Sequence, residues 1–167
     1  MVPILGFYRS SMWVASGGNN TVTKLRASDG ATLGTFTAGS IPFALAFDGA
    51  NMWVVNNGGD SISKLRAKDG VILGTFKVGH IPIAAAFDGA NIWVTNSNDN
   101  TVTKLRSSDG KVLGTFTVGS TPGPVAFDGA SIWVANFISN NVTELRASDG
   151  RGARHLQCGN QSTRGCL

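Results

Sequence analysis

Side chains able to do chemistry are scarce in this chain. Its 167 residues include two histidines, His80 and His155, two cysteines, Cys158 and Cys166, and one glutamate, Glu144. As a general base or ligand, His80 needs a partner group within hydrogen-bond reach, and the sequence names none. Cys158 and Cys166, seven residues between them and His155 just upstream, are a poor metal set beside a paired CxxC. No HExxH, GxSxG or P-loop occurs. The expectation is therefore no catalytic residue, no metal and no cofactor.

Polar loop chemistry remains. The stretches "GGNN" (17–20), "NGGD" (57–60), "SNDN" (97–100) and "ISNN" (138–141) are rich in amide and carboxylate oxygens. Such oxygens bind sugars or cations, and the same residues are what tight hairpins require. Phe137 and Ile138 interrupt this polar series with apolar side chains, which suit either a binding surface or packing against a further repeat. His80, Asn57, Asn96, Asn98 and Phe137 are the candidate ligand-binding residues, provided that the fold brings them to one face.

The elements that must do so are written in a period of forty. The units are "SMWVASGGNNTVTKLRASDGATLGTFTAGSIPFALAFDGA" (11–50), its relatives at 51–90 and 91–130, and a partial fourth, "SIWVANFISNNVTELRASDG" (131–150). The first and third agree at 25 of 40 positions. Each unit reads as four strands, "PVAFDG", "IWVTN", "TVTKLR" and "VLGTFTVG", with Asp-Gly as a two-residue hairpin signal after the third. No segment has a helical apolar period. A repeat of about forty residues holding four short strands is the mark of a propeller blade. The fold class expected is all-β, a partial β-propeller of about four blades. Residues 1–150 are assigned three full blades and a three-stranded fourth, and 151–167 a non-repeat tail.

Side-chain size agrees. The innermost strand, where blades converge, has Ala46, Ala86 and Ala126; the second has Trp13, Trp53, Trp93 and Trp133, and the outermost Phe36, Phe76 and Phe116. The tryptophans are expected to pack between blades rather than to stack on ligands. The pairs Lys24 with Arg26, Lys64 with Arg66 and Lys104 with Arg106 are expected on a solvated surface that resists aggregation. In this architecture the loop holding His80 shares a face, at the mouth of the central channel, with the polar loops.

The segments "IWVTN", "NTVTKL", "GKVLGTFTVGSTP" and "VAFDG" resemble the bacterial YVTN-type β-propeller repeat and are similar to blades of streptogramin B lyase. The resemblance spans residues 2–150. It implies a scaffold or binding platform, and in the lyase a magnesium ion held by two histidines and a glutamate on that face. His80 matches at most one of these, and Glu144, on the third strand in the column of Lys24, matches none. The reading is a non-catalytic binding or scaffold module, a fragment of a longer propeller; the alternative is a remnant or subunit of a lyase-like enzyme.

The formal charge of +4 is spread blade by blade, so nucleic acid is not expected as a partner, and no apolar run is long enough to span a membrane. "MVPILGFY" has no basic start and meets Arg9 early, unlike a signal peptide, while the resembling families are often extracytoplasmic; the compartment stays open. The tail "RGARHLQCGNQSTRGCL" has a genetic explanation. Codons CAC CTT CAA TGT GGG AAT CAA TCC ACT CGC for 155–164, read one base later, spell "TFNVGINPL", which aligns with "TFTVGSTPG" of the third unit. Frameshifted blade sequence is the expectation. A homodimer is expected to complete a ring of about eight blades, residues 151–158 partly covering the edge of the short fourth blade.

Overall fold

Every strand in the body of the repeat is six residues long, with side chains alternating between its two faces. The computed structural model of the chain describes residues 5–8, 10–152 and 154–157. The first sheet holds β1 (Leu5–Tyr8), β2 (Ser11–Ser16), β3 (Thr21–Arg26) and β4 (Thr32–Thr37). The second holds β5 (Pro42–Phe47), β6 (Asn51–Asn56), β7 (Ser61–Arg66) and β8 (Ile72–Lys77). The third holds β9 (Pro82–Phe87), β10 (Asn91–Asn96), β11 (Thr101–Arg106) and β12 (Val112–Thr117). The fourth holds β13 (Pro122–Phe127), β14 (Ser131–Asn136), β15 (Asn141–Arg146) and β16 (Arg154–Gln157). All four are antiparallel meanders in chain order, and the chain has the architecture of a partial four-bladed β-propeller.

The core sits between blades, in three clusters. Trp13, Ala15 and Val22 of the first blade meet Met52, Val54 and Leu65 of the second. Trp53, Val55 and Ile62 meet Ile92, Val94 and Leu105. Trp93 and Val102 meet Ile132, Val134 and Leu145. Trp13, Trp53 and Trp93 are fully buried, and each packs on the outer-strand phenylalanine of its own blade with ring centroids 5.4–5.6 Å apart. Burying each such side chain contributes on the order of 2–3 kcal/mol.

The lysines correct the sequence reading. Lys24, Lys64 and Lys104 are only 9%, 7% and 5% exposed. Lys24 Nζ donates to the carbonyls of Ala67 and Lys68, both at 2.9 Å. Lys64 donates likewise to Ser107 and Ser108 at 2.6 and 3.1 Å, and Lys104 to Ala147 and Ser148 at 2.7 and 3.0 Å. Each ammonium also lies 4.8–5.7 Å from the ring centre of its blade's tryptophan. A solvated surface would leave two turn carbonyls of the next blade without donors, whereas a buried ammonium satisfies both. Of each Lys–Arg pair only the arginine faces water, in exposed ion pairs such as Arg66–Asp69 at 2.9 Å.

The turn that receives each lysine is longer than the two-residue hairpin expected. In the second blade Gly70 N–H bonds Arg66 C=O, and Arg66 N–H bonds Val71 C=O, each at 2.8 Å. Gly70 adopts φ +76°, and a Cβ there would collide with the Phe36 ring of the preceding blade. Glycine therefore serves both the turn and the junction.

The three-stranded fourth blade is also corrected. Residues 154–157 form β16, in register Glu144↔Arg154, Thr143↔His155 and Val142↔Leu156. Backbone pairing asks little of the sequence, and β15 would otherwise leave an unpaired edge. Arg154 Nη2 meets Glu144 Oε2 at 2.7 Å, and Thr143 Oγ1 lies 3.0 Å from His155 Nδ1. Cys158, Cys166 and the rest of the proposed frameshifted stretch lie outside the described residues. Among the described residues no helix is long and apolar enough to cross a membrane.

Candidate functional site

The innermost strands β5, β9 and β13 stand side by side around the propeller axis. Between them runs a groove of about 380 Å³, lined by Phe43, Leu45, Ile83, Ala84, Pro124 and Phe137 among others. Its lining is almost wholly apolar. Phe43 and Ile83 occupy one column of the repeat, and the fourth blade has Gly123 there. Phe137 reaches from the β14–β15 loop over Gly123, where a Cβ would meet its ring. It is 51% exposed and restores from a loop the apolar bulk that the strand lacks. Ile138 beside it is exposed as well.

The connector and hairpin loops lie together on one face. Asn57 and Gly58 N–H groups bond Ile41 and Ser40 carbonyls at 2.9 and 3.1 Å, and Ser97 N–H bonds Ile81 C=O at 3.0 Å. Ile41, Ile81 and Thr121 adopt φ of +50°, +51° and +55°. Branched side chains rarely take this conformation. It is held by oxygens of the preceding blade: Asn20, Asp60 and Asn100 Oδ1 accept from the N–H groups of Ile41, Ile81 and Thr121 at 2.9, 3.1 and 2.8 Å. The last residue of each of the first three polar loops thus clamps the next connector.

His80 has a partner that the sequence did not name. Its Nδ1 lies 3.0 Å from Asp60 Oδ2, and its backbone N–H donates to Asp99 Oδ2 at 2.8 Å. The side chain is 66% exposed, which leaves Nε2 toward solvent. One signal was available: Asp60 stands where the other units have Asn20, Asn100 and Asn140, and His80 where they have Ser40 and Ser120. Two departures at columns joined by the clamp point to one local pair.

The other candidates separate. Asn96 is fully buried; its Oδ1 accepts from Gly79 N–H at 3.0 Å, and its Nδ2 donates to Thr101 and Thr103 at 3.0 and 2.9 Å. It is a framework residue rather than a ligand contact, which corrects the sequence reading, and its equivalent Asn56 is held in the same way. Asn57 lies half-buried on the loop face and donates to Pro82 C=O at 3.1 Å. Asn98 is exposed there, its N–H 3.3 Å from His80 C=O. The fold therefore brings Asn57, His80 and Asn98 to the loop face and Phe137 to the groove. Glu144 is remote from them, bound to Arg154 and Ser131 on the outer side of the fourth blade. Among the described residues no three His, Cys, Asp or Glu side chains converge as metal ligands.

No family model matches the chain, and no curated protein matches it by sequence. Solved structures match by fold. Hydrazine synthase of Kuenenia stuttgartiensis superposes with a TM-score of 0.81 at 21% identity, over 93% of this chain and 48% of that one. A streptogramin B lyase gives 0.78 at 18%, over 93% and 54%. The virginiamycin B lyase of Staphylococcus aureus gives 0.81 at 17%, over 96% and 57%. The chain spans about half the length of these structures.

Proposed function

We propose that the chain is a non-catalytic β-propeller module that binds an apolar ligand or partner segment along its channel wall, and that two chains complete one ring of about eight blades. The observation that supports binding is the groove between Phe43, Ile83 and Phe137, apolar where most of the loop face is polar. Nucleic acid does not suit it, because three of the cations that a phosphate backbone would seek are spent inside blade junctions. An environment-sensitive apolar dye such as anilinonaphthalene sulfonate tests the groove. Saturable binding that Phe137→Ala weakens several-fold is expected; equal binding by the variant removes the groove from the account. His80→Ser, the residue of the sister units, is expected to weaken any ligand that reaches the loop face, and unaltered affinity would remove His80.

Ring completion is supported by the half-length match to solved structures and by the open arc. Among the described residues no apolar cluster joins the first blade to the fourth. Light scattering is expected to give twice 17.4 kDa at micromolar concentration. A second reading, the remnant of a lyase-like enzyme, draws on the His80–Asp60 pair. Loss of a type B streptogramin in the presence of the protein, abolished by His80→Ser, would favour it over the first.

A further inference from the structure

The two ends of the arc bear the two halves of an interface that the chain already builds internally. At the first junction the face of Trp13, Ala15 and Val22 meets the face of Met52, Val54 and Leu65. The fourth blade turns outward Trp133, Ala135 and Val142, the same three residue types in the same columns, and each is only half-buried. The first blade's other face offers Met12, Val14 and Leu25, again the same types and again half-buried, whereas Met52, Val54 and Leu65 are fully buried. Trp133 keeps its Asp128 bond at 2.6 Å yet lacks the cover that its three counterparts have.

The polar half of the joint is present too, with altered residues. The receiving turn, Ala27 to Gly30, has the shape of its sisters: Gly30 N–H bonds Arg26 C=O at 2.8 Å with φ +72°. It is exposed, and nothing lies within 4 Å of a Cβ built on Gly30. On the fourth blade the lysine column holds Glu144 and the facing glycine column Arg154, one ion pair at 2.7 Å. They border a hollow of about 450 Å³ together with Ser131, Arg146, Arg151 and Gly152. At the internal junctions a turn with two lysine-bound carbonyls and an aspartate sits against this column; Asp69, for instance, acts on Lys24.

We infer that this hollow is the seat for the Ala27–Gly30 turn of a second copy, with Arg154 in the place of the junction lysine. The inference rests on the two-chain ring proposed above. Glu144 neutralises part of the guanidinium and orients it, and the remaining N–H groups serve the carbonyls of Ala27 and Ser28 and the carboxylate of Asp29 from the copy. Beneath this clamp Trp133, Ala135 and Val142 cover Met12, Val14 and Leu25. A two-fold axis then yields two identical seams and leaves no open end.

Light scattering across a dilution series tests it on the full chain, with circular dichroism and melting curves to confirm folding. Ala27→Trp changes an exposed turn residue, and Arg154→Ala an exposed edge residue. Each is expected to raise the dimer dissociation constant at least tenfold. The double change Glu144→Lys with Arg154→Gly, which rebuilds the internal joint, is expected to dimerise as the wild type does or more tightly. A wild-type monomer at micromolar concentration would overturn the two-chain reading and this inference together. A wild-type dimer that Ala27→Trp and Arg154→Ala both leave unchanged would overturn the seam alone.

Discussion

In three of the four blades a single aspartate, Asp48, Asp88 or Asp128, ties a turn to the core. Asp48 Oδ1 accepts from the N–H groups of Ala50 and Asn51 at 2.9 and 2.6 Å, and its Oδ2 from Trp53 Nε1 at 2.8 Å. Asp88 repeats the arrangement with Trp93 at 2.7 Å. Burial pushes both carboxyls up, but the bonds from tryptophan, asparagine and backbone outweigh it and leave them below the ordinary 3.8. A depressed carboxylate contributes stability that is complete above that value and lost as pH falls through the folded one. Melting temperature should therefore drop below about pH 4. Asp88→Asn should cost about 1–3 kcal/mol at neutral pH and make the acid drop shallower, as thermal melts would read. Lys64→Met leaves two carbonyls without their donor and should cost about 2–3 kcal/mol in denaturant titrations. Neither role was visible in the sequence. A period of two tells which side of a strand is apolar, but not that a lysine on that side meets the backbone of the next blade.

Among elements, the strands were legible because local signals agreed: alternation, Asp-Gly turns and a forty-residue register all placed the same segments. The connectors were less so. Nothing in "GSIP" or "GHIP" says that the isoleucine takes a left-handed conformation, since that is imposed by an oxygen twenty-one residues earlier. Ile81 is 46% exposed and loses little by replacement. Ile81→Asn, which accepts that conformation readily, should stabilise the protein by about 1 kcal/mol, and an unchanged or lower melting temperature would count against strain at this site. The last strand was the least legible, because RHLQ shows no blade pattern and forms β16 through backbone pairing. His155 faces Thr143 as Thr115 faces Thr103, and Leu156 faces Val142 as Phe116 faces Val102. Those are the columns in which the shifted reading places Thr and Phe, and sequencing the DNA across codons 155–163 is expected to spell the blade motif in the second frame. Codons that cannot do so would end the frameshift proposal.

For the whole molecule, the repeat announced an arc but not how its ends differ from its middle. Glu144 and Arg154 could be seen as departures from the lysine and glycine columns only once β16 had placed them opposite one another. The candidate site was legible in the same measure: the shared loop face followed from blade geometry, while Asn96, buried, and Asp60, beside His80, required the packed structure. The first blade holds one more departure. Tyr8 stands in the aspartate column, and the indole N–H of Trp13, although buried, has no acceptor among the described residues. The other three tryptophans all donate to carboxylates at 2.6–2.8 Å. A proton held against a carboxylate is strongly deshielded, so in a nitrogen–proton correlation spectrum the Trp13 indole should stand upfield of its three counterparts. One tryptophan per blade, each with its own resonance, would let the loosening of the four blades under denaturant be followed separately in one sample.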